Sequence, residues 1–312
     1  MAVLGAGDVR AQPAVGASDA VLAVLSPPAT DDARSATAIG PSGEVYEPDG
    51  KGGWVRTQRI ATADPLTLAA RVGGAGGAVV ASGNGVVYRL AANGWSAIRL
   101  VQKGKAVLAG GPRAIAAAGK QLFALDRTAG GEPAKLAATA SPVVAIGTGP
   151  SGKTAVVQTE RGLLRLDGAR LTAITGAPRG ITQLVGDTWA IADGGAADLR
   201  TGKTLPFPAG LAVGASSPAT VAPDDSLAVV ATGAGGALEL VTVRGNGKVD
   251  REPIVITAPG VAVGLAVDRT GRAVVALRDG RLAVRDRGTW STTTATTSFP
   301  PPRPGPPPAT SP

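Results

Sequence analysis

An all-β repeat fold is what this sequence predicts, and three observations carry the prediction. A short strand-like segment recurs seven times along the 312 residues. Each copy after the first follows a second apolar run, across residues suited to tight turns. The composition, with 45 Gly, 25 Pro and 3% aromatic residues, suits many short elements joined by turns better than a few long helices. At 44% hydrophobic and 17% charged, the chain can bury a core and lacks the signature of a disordered polymer.

Taken in order, the recurring segments are Gly43–Asp49, Gly85–Leu90, Lys120–Asp126, Arg161–Asp167, Gly194–Leu199, Gly235–Leu240 and Gly280–Asp286, with starting points 33 to 45 residues apart. That spacing is close to the ~40 to 45 residues of a four-stranded blade. The runs that precede them are Ala78–Ala81, Ala114–Ala116, Ala155–Val157, Trp189–Ile191, Leu227–Val230 and Ala273–Val275. Gly83-Asn84-Gly85, Asp193-Gly194 and Asp279-Gly280 supply the turn chemistry between the two. A small-residue strand before each pair, as in Val261–Val267, and a polar strand after it, as in Trp290–Thr293, complete a four-stranded meander. Val87 with Tyr88, and Leu163 with Leu164, are adjacent apolar pairs, so that strand is apolar on both faces and its sheet packs between two others. Seven such sheets about an axis make a β-propeller, whereas a single sandwich accounts for neither the period nor the two-sided strands. Asp19–Leu25 is expected to add a strand to the first or last blade and to help close the ring.

The expected organisation is a flexible segment over residues 1–17, the propeller over 18–296 and a Pro-rich disordered tail over 297–312. Asp8 and Arg10 interrupt the apolar stretch that a signal peptide needs, while Ala11–Ala14 resembles an export cleavage region; a start further upstream would reconcile the two and place the protein in the periplasm or outside the cell. No run reaches the ~18 apolar residues of a membrane span.

The turns Pro150–Lys153, Pro223–Ser226 and Asp268–Arg272 bring a resemblance into view: residues 18 to 296 resemble the divergent bacterial WD40-like and YVTN-type propellers, whose first turn often reads P-D-G-K or S-P-D-G. The resemblance implies fold far more than function. The chain departs from the WD40 pattern, because Trp54, Trp95, Trp189 and Trp290 precede Val, Ser, Ala and Ser, never Asp, and no His is present to form a Gly-His element.

Gly147–Thr154 fits G-x-x-x-x-G-K-[ST]. In a phosphate-binding loop Gly147 and Gly152 would shape the turn, Lys153 would reach the phosphates and Thr154 would hold Mg²⁺ at the start of a helix. The following Thr154–Arg161 is rich in β-branched residues and suits a strand. Residues 152–167 also align without a gap on 271–286, which favours a hairpin over a nucleotide site.

Trp54, Trp95 and Trp290 share a position just after the turn into the outer strand. Exposed, they would form an aromatic ligand or partner surface; packed, they would fill the seams between blades, which Leu171 and Leu205 at the equivalent places favour. Asp31-Asp32 and Asp224-Asp225 lack the spacing of a calcium loop and suit surface turns. With no His and no Cys, the chain has no imidazole or thiolate chemistry, no disulfide and no Ser-His-Asp triad, so any metal would need oxygen ligands. The net charge of +8 comes from scattered residues, including Lys103, Lys105, Arg278, Arg281, Arg285 and Arg287, which a solvated surface explains; no nucleic acid is expected.

The functional expectation is therefore a non-enzymatic platform for a protein partner, in the bacterial cell envelope, with no cofactor. The alternative is a carbohydrate- or metal-binding propeller, or an oxygen-ligated metal hydrolase or lyase, acting at the channel mouth.

Overall fold

The computed structural model describes residues 22–25, 37–48, 54–62, 64–72, 77–82, 85–91, 94–100, 106–109, 114–129, 132–149, 153–193, 195–267, 270–278 and 281–292. Residues 1–17, the tail 297–312 and the turn residues Gly83, Asn84, Gly194, Asp279 and Gly280 lie outside the described residues.

The β-branched and small apolar runs form strands, and the Gly- and Pro-bearing stretches between them form turns. Among the described residues there are seven four-stranded antiparallel sheets, over 23–59, 66–99, 106–138, 143–173, 183–205, 219–253 and 262–292, numbered here 1 to 7. In each sheet the four strands follow one another in sequence, so every sheet is a simple meander. Gly85, ahead of the third strand of sheet 2, holds the positive φ of 76° that its turn position was expected to need. The innermost strands of sheets 2, 4 and 7 each carry a bulge, at Leu66/Leu68, Val143/Ala145 and Ala262/Gly264.

The first strand of each sheet lies against the first strands of the sheets before and after it, and the first strand of sheet 7 lies against that of sheet 1. The chain is an all-β propeller with four-stranded blades. Its core is a series of seams between blades. Val107, Leu122, Ile146 and Leu166 join sheets 3 and 4. Ala145, Leu163, Leu184 and Ala197 join sheets 4 and 5. Val185, Trp189, Val229 and Val241 join sheets 5 and 6, and Leu240, Ile254, Leu265 and Val275 join 6 and 7. One larger cluster, from Leu22 to Leu125, spans sheets 1 to 3. The two-faced third strand is visible at Leu163 and Leu164, adjacent residues that pack into different seams.

Closure has a specific form. Ala23–Leu25 is the first strand of sheet 1, pairs with Thr37–Ile39 and touches the first two strands of sheet 7. No described sheet mixes strands from the two ends of the chain. Among the described residues this junction packs Ala38 and Tyr46 against Val263, Ala266, Val274, Ala276 and Leu282.

Candidate functional site

The motif Gly147–Thr154 spans the end of one strand and the start of the next in sheet 4. Gly147 lies in the first strand, Val143–Thr148, and Thr154 opens the second, Thr154–Thr159. Thr148 pairs with Ala155, and the Gly149 amide donates to the Thr154 carbonyl at 3.0 Å. Lys153 is exposed, and Gly152 lies outside the described residues. A strand, not a helix, follows Thr154, so no helix N-terminus is aimed at a phosphate.

The glycines serve a different need. A β-carbon on Gly147 would collide with the Gly186 carbonyl, and one on Gly149 with the Asp187 carboxylate, both from the turn between the first two strands of sheet 5. Asp187 is 6% exposed, and its Oδ2 accepts the Thr154 hydroxyl at 2.5 Å. Its Oδ1 is buried with no hydrogen-bond partner among the described residues. The groups that would bind nucleotide phosphate and Mg²⁺ thus receive a carboxylate from the next blade, and that negative charge repels a phosphate. Asp187 did not emerge from the sequence, because only the ring brings residue 187 to residue 154.

The same contact recurs one blade on. Trp189 opens the second strand of sheet 5 as Thr154 does in sheet 4, and its indole N–H donates to the Asp225 carbonyl in the first turn of sheet 6 at 2.8 Å. Asp225 has a φ of 62°. Its neighbour Asp224 accepts the Ser226 hydroxyl at 2.5 Å and the Ser226 amide at 3.2 Å. The hydroxyl bond, chiefly, holds the Asp224 carboxyl below its ordinary value. This acid pair is a surface turn that also latches blade 5 to blade 6; Asp31 and Asp32 lie outside the described residues.

Trp95 and Trp290 are half-buried on outermost strands, and each reaches back to the outermost strand of the preceding blade. Trp95 donates to Gln58 Oε1 at 2.9 Å, and Trp290 to Glu252 Oε1 at 2.7 Å. Both rings pack against the core clusters. Trp54 opens the outermost strand of sheet 1, paired with Pro48, and its side chain is outside the described residues. Two of the three indoles are thus seam elements, each with its polar edge committed to the neighbouring blade.

The basic residues near the C-terminal end are not all a solvated surface. Arg281 is 6% exposed and donates to the carbonyls of Ala258 and Pro259, both at 2.8 Å. Arg285 donates to Glu252 Oε1 at 2.9 Å. Spacing alone could not show this, because the acceptors are in the preceding blade or its connection. Sheets 5 and 6 carry a further ionic network on one edge. Arg200 meets Asp198 at 3.3 Å and Asp225 at 3.9 Å, Arg244 pairs with Asp250 and Asp224, and Lys248 lies 3.2 Å from Asp250. The Arg244 and Lys248 bonds hold the Asp250 carboxyl below the ordinary range, and the bidentate Arg251 does the same to Glu239.

Among the described residues no group of three acidic side chains could hold a metal ion, and no helix is long and apolar enough to cross a membrane. Neither family models nor curated proteins match the sequence. Solved structures do match. The WD40 beta propeller domain of Doa1 aligns with a TM-score of 0.57 at 14% identity, over 92% of this chain and 99% of that one. A chain of the mitotic checkpoint complex aligns with a TM-score of 0.53 at 13% identity, over 87% and 96%. The fold is a β-propeller similar to those of these structures. At these identities the likeness shows the fold alone.

Proposed function

We propose that this protein is a seven-bladed propeller of the bacterial WD40-like type that works without catalysis as a docking platform for a protein partner in the cell envelope. The observation that carries the reading is how its polar side chains are used. The Gly147–Thr154 turn receives Asp187, Trp95 and Trp290 bond across seams, and Asp224-Asp225 latches two blades. Chemistry-bearing groups are spent on joining blade to blade, and the connections between strands lie at the two ends of the ring. A rigid ring that presents its connections as loops suits recognition of a protein surface. The fold neighbours agree with this use, one of them being part of an assembly, the mitotic checkpoint complex.

The test is crosslinked capture from source cells with a high-salt wash that removes contacts driven only by the +8 charge, followed by sedimentation of the two purified proteins. A partner recovered in near-stoichiometric amount that forms a defined complex when purified supports the platform. If no captured protein binds in purified form, the platform reading fails, and fractionation showing a cytosolic protein removes the envelope.

A further inference from the structure

Both exposed large hydrophobic side chains found among the described residues lie on one connection. Val255 is 62% and Val261 53% exposed, in the segment that joins sheets 6 and 7. From 255 to 261 the chain reads Val-Ile-Thr-Ala-Pro-Gly-Val, seven uncharged residues, of which Ile256 packs inward against the seam and Val255, Thr257, Ala258, Pro259 and Val261 are exposed. A connection that merely crossed the surface would not need this composition.

The segment is also held in place. The Ile254 amide donates to the Leu238 carbonyl, and the Arg278 amide to the Val261 carbonyl, each at 2.8 Å. Between these ends the buried Arg281 guanidinium grips the consecutive carbonyls of Ala258 and Pro259. An apolar surface pinned by a buried arginine has little conformational freedom left to lose on binding.

The described chain ends against this surface. The hydroxyl of Thr292, the last described residue, donates to the Val255 carbonyl at 3.2 Å. Two residues earlier, Trp290 is half-buried with its ring oriented by the bond to Glu252. Residues 293–312 follow, and Phe299–Pro308 reads FPPPRPGPPP, with Arg303 its one charge. Phe299 is seven residues past Thr292, so it lies within about 25 Å of that point. Pro-rich segments favour the extended polyproline helix, whose apolar edges dock on apolar and aromatic surfaces at small entropic cost.

We propose that residues 299–308 dock in cis on the 255–261 connection of the same molecule. Charge and polarity match, because an almost uncharged segment meets an uncharged surface. Covalent attachment through a short linker gives an effective concentration of about 1 mM, so an intrinsic affinity as weak as millimolar occupies the surface about half the time. The inference does not depend on the platform reading, because it concerns two parts of one chain.

The test uses the full chain with ¹³C-labelled valine methyls and a soluble paramagnetic probe. The comparison is a full-length variant carrying Ser in place of Pro300, Pro301, Pro302, Pro306, Pro307 and Pro308. Docking predicts that the Val255 and Val261 methyl shifts move in the variant and that their relaxation by the probe rises about twofold, with the buried Val229 methyls unchanged. A peptide of residues 297–312, added at several millimolar, should return the variant's shifts toward those of the parent. Equal probe relaxation in the two proteins overturns the proposal, as does a peptide without effect. Protection in the parent that fades on dilution assigns the surface to a second copy and overturns it too.

Discussion

The Asp187 carboxylate is the most exacting single residue in the molecule. It is buried, one oxygen accepts the Thr154 hydroxyl, and the other has no partner among the described residues. Removing the donor while leaving the charge costs more than removing both, because an unpaired buried carboxylate keeps its whole desolvation penalty. Thr154→Val should therefore lower stability by about 2 kcal/mol, and Thr154→Val with Asp187→Asn by less than the sum of the two single changes. Urea unfolding of the four proteins measures this cycle, and strict additivity would remove the coupling. Trp290→Phe, which keeps a ring but loses the bond to Glu252, should cost about 1 kcal/mol in the same assay, and Glu252→Gln less, since an amide oxygen still accepts.

Strands and turns carry the next level of argument. Gly147 sits where the first strand of sheet 4 passes the Gly186 carbonyl too closely for any side chain. Gly147→Ala should destabilise by about 1 to 3 kcal/mol, more than Gly214→Ala, because a β-carbon at Gly147 meets a backbone carbonyl that cannot move aside while one at Gly214 meets open space. Sheet 6 has its own pH signature. Asp224, Asp250 and Glu239 all have folded values below the ordinary carboxylate range, so the unfolded chain binds more protons than the folded one as pH falls through that range. Their contribution is complete above the ordinary carboxylate values and is lost as pH drops through the lowered folded values. Hydrogen exchange should show protection in sheet 6 falling in that acid window, and falling less in 1 M salt, where the ion pairs are already screened. At this scale the sequence was readable. Gly85, the paired apolar runs and the polar outer strand appear where turn chemistry and strand alternation placed them. The poorly read pieces were those whose partner lies in another blade, such as Arg281 and Arg285.

For the whole molecule the decisive feature is how the ring closes. Other seams lie between blades that follow one another along the chain, whereas the seam between sheets 7 and 1 joins its two ends, among the described residues without a shared strand and mostly through Ala and Val side chains. Tyr46, 4% exposed, is its largest member. Tyr46→Ala should cost about 3 kcal/mol and open this seam first. Hydrogen exchange would then show sheets 1 and 7 losing protection before sheets 4 and 5, and uniform loss around the ring would show that closure is no weaker than the rest.

The sequence by itself determined the repeat: a four-stranded unit, its turn positions and its two-faced third strand. These rest on alternation and turn chemistry, which act over a few residues and so are written locally. It also determined that imidazole and thiolate chemistry are absent, since that follows from composition. Tertiary structure alone decided what the candidate residues do. Whether Thr154 meets a phosphate or a carboxylate, and whether Trp290 faces a ligand or Glu252, depends on residues 33 and 38 positions distant, brought within hydrogen-bonding reach only when neighbouring blades pack.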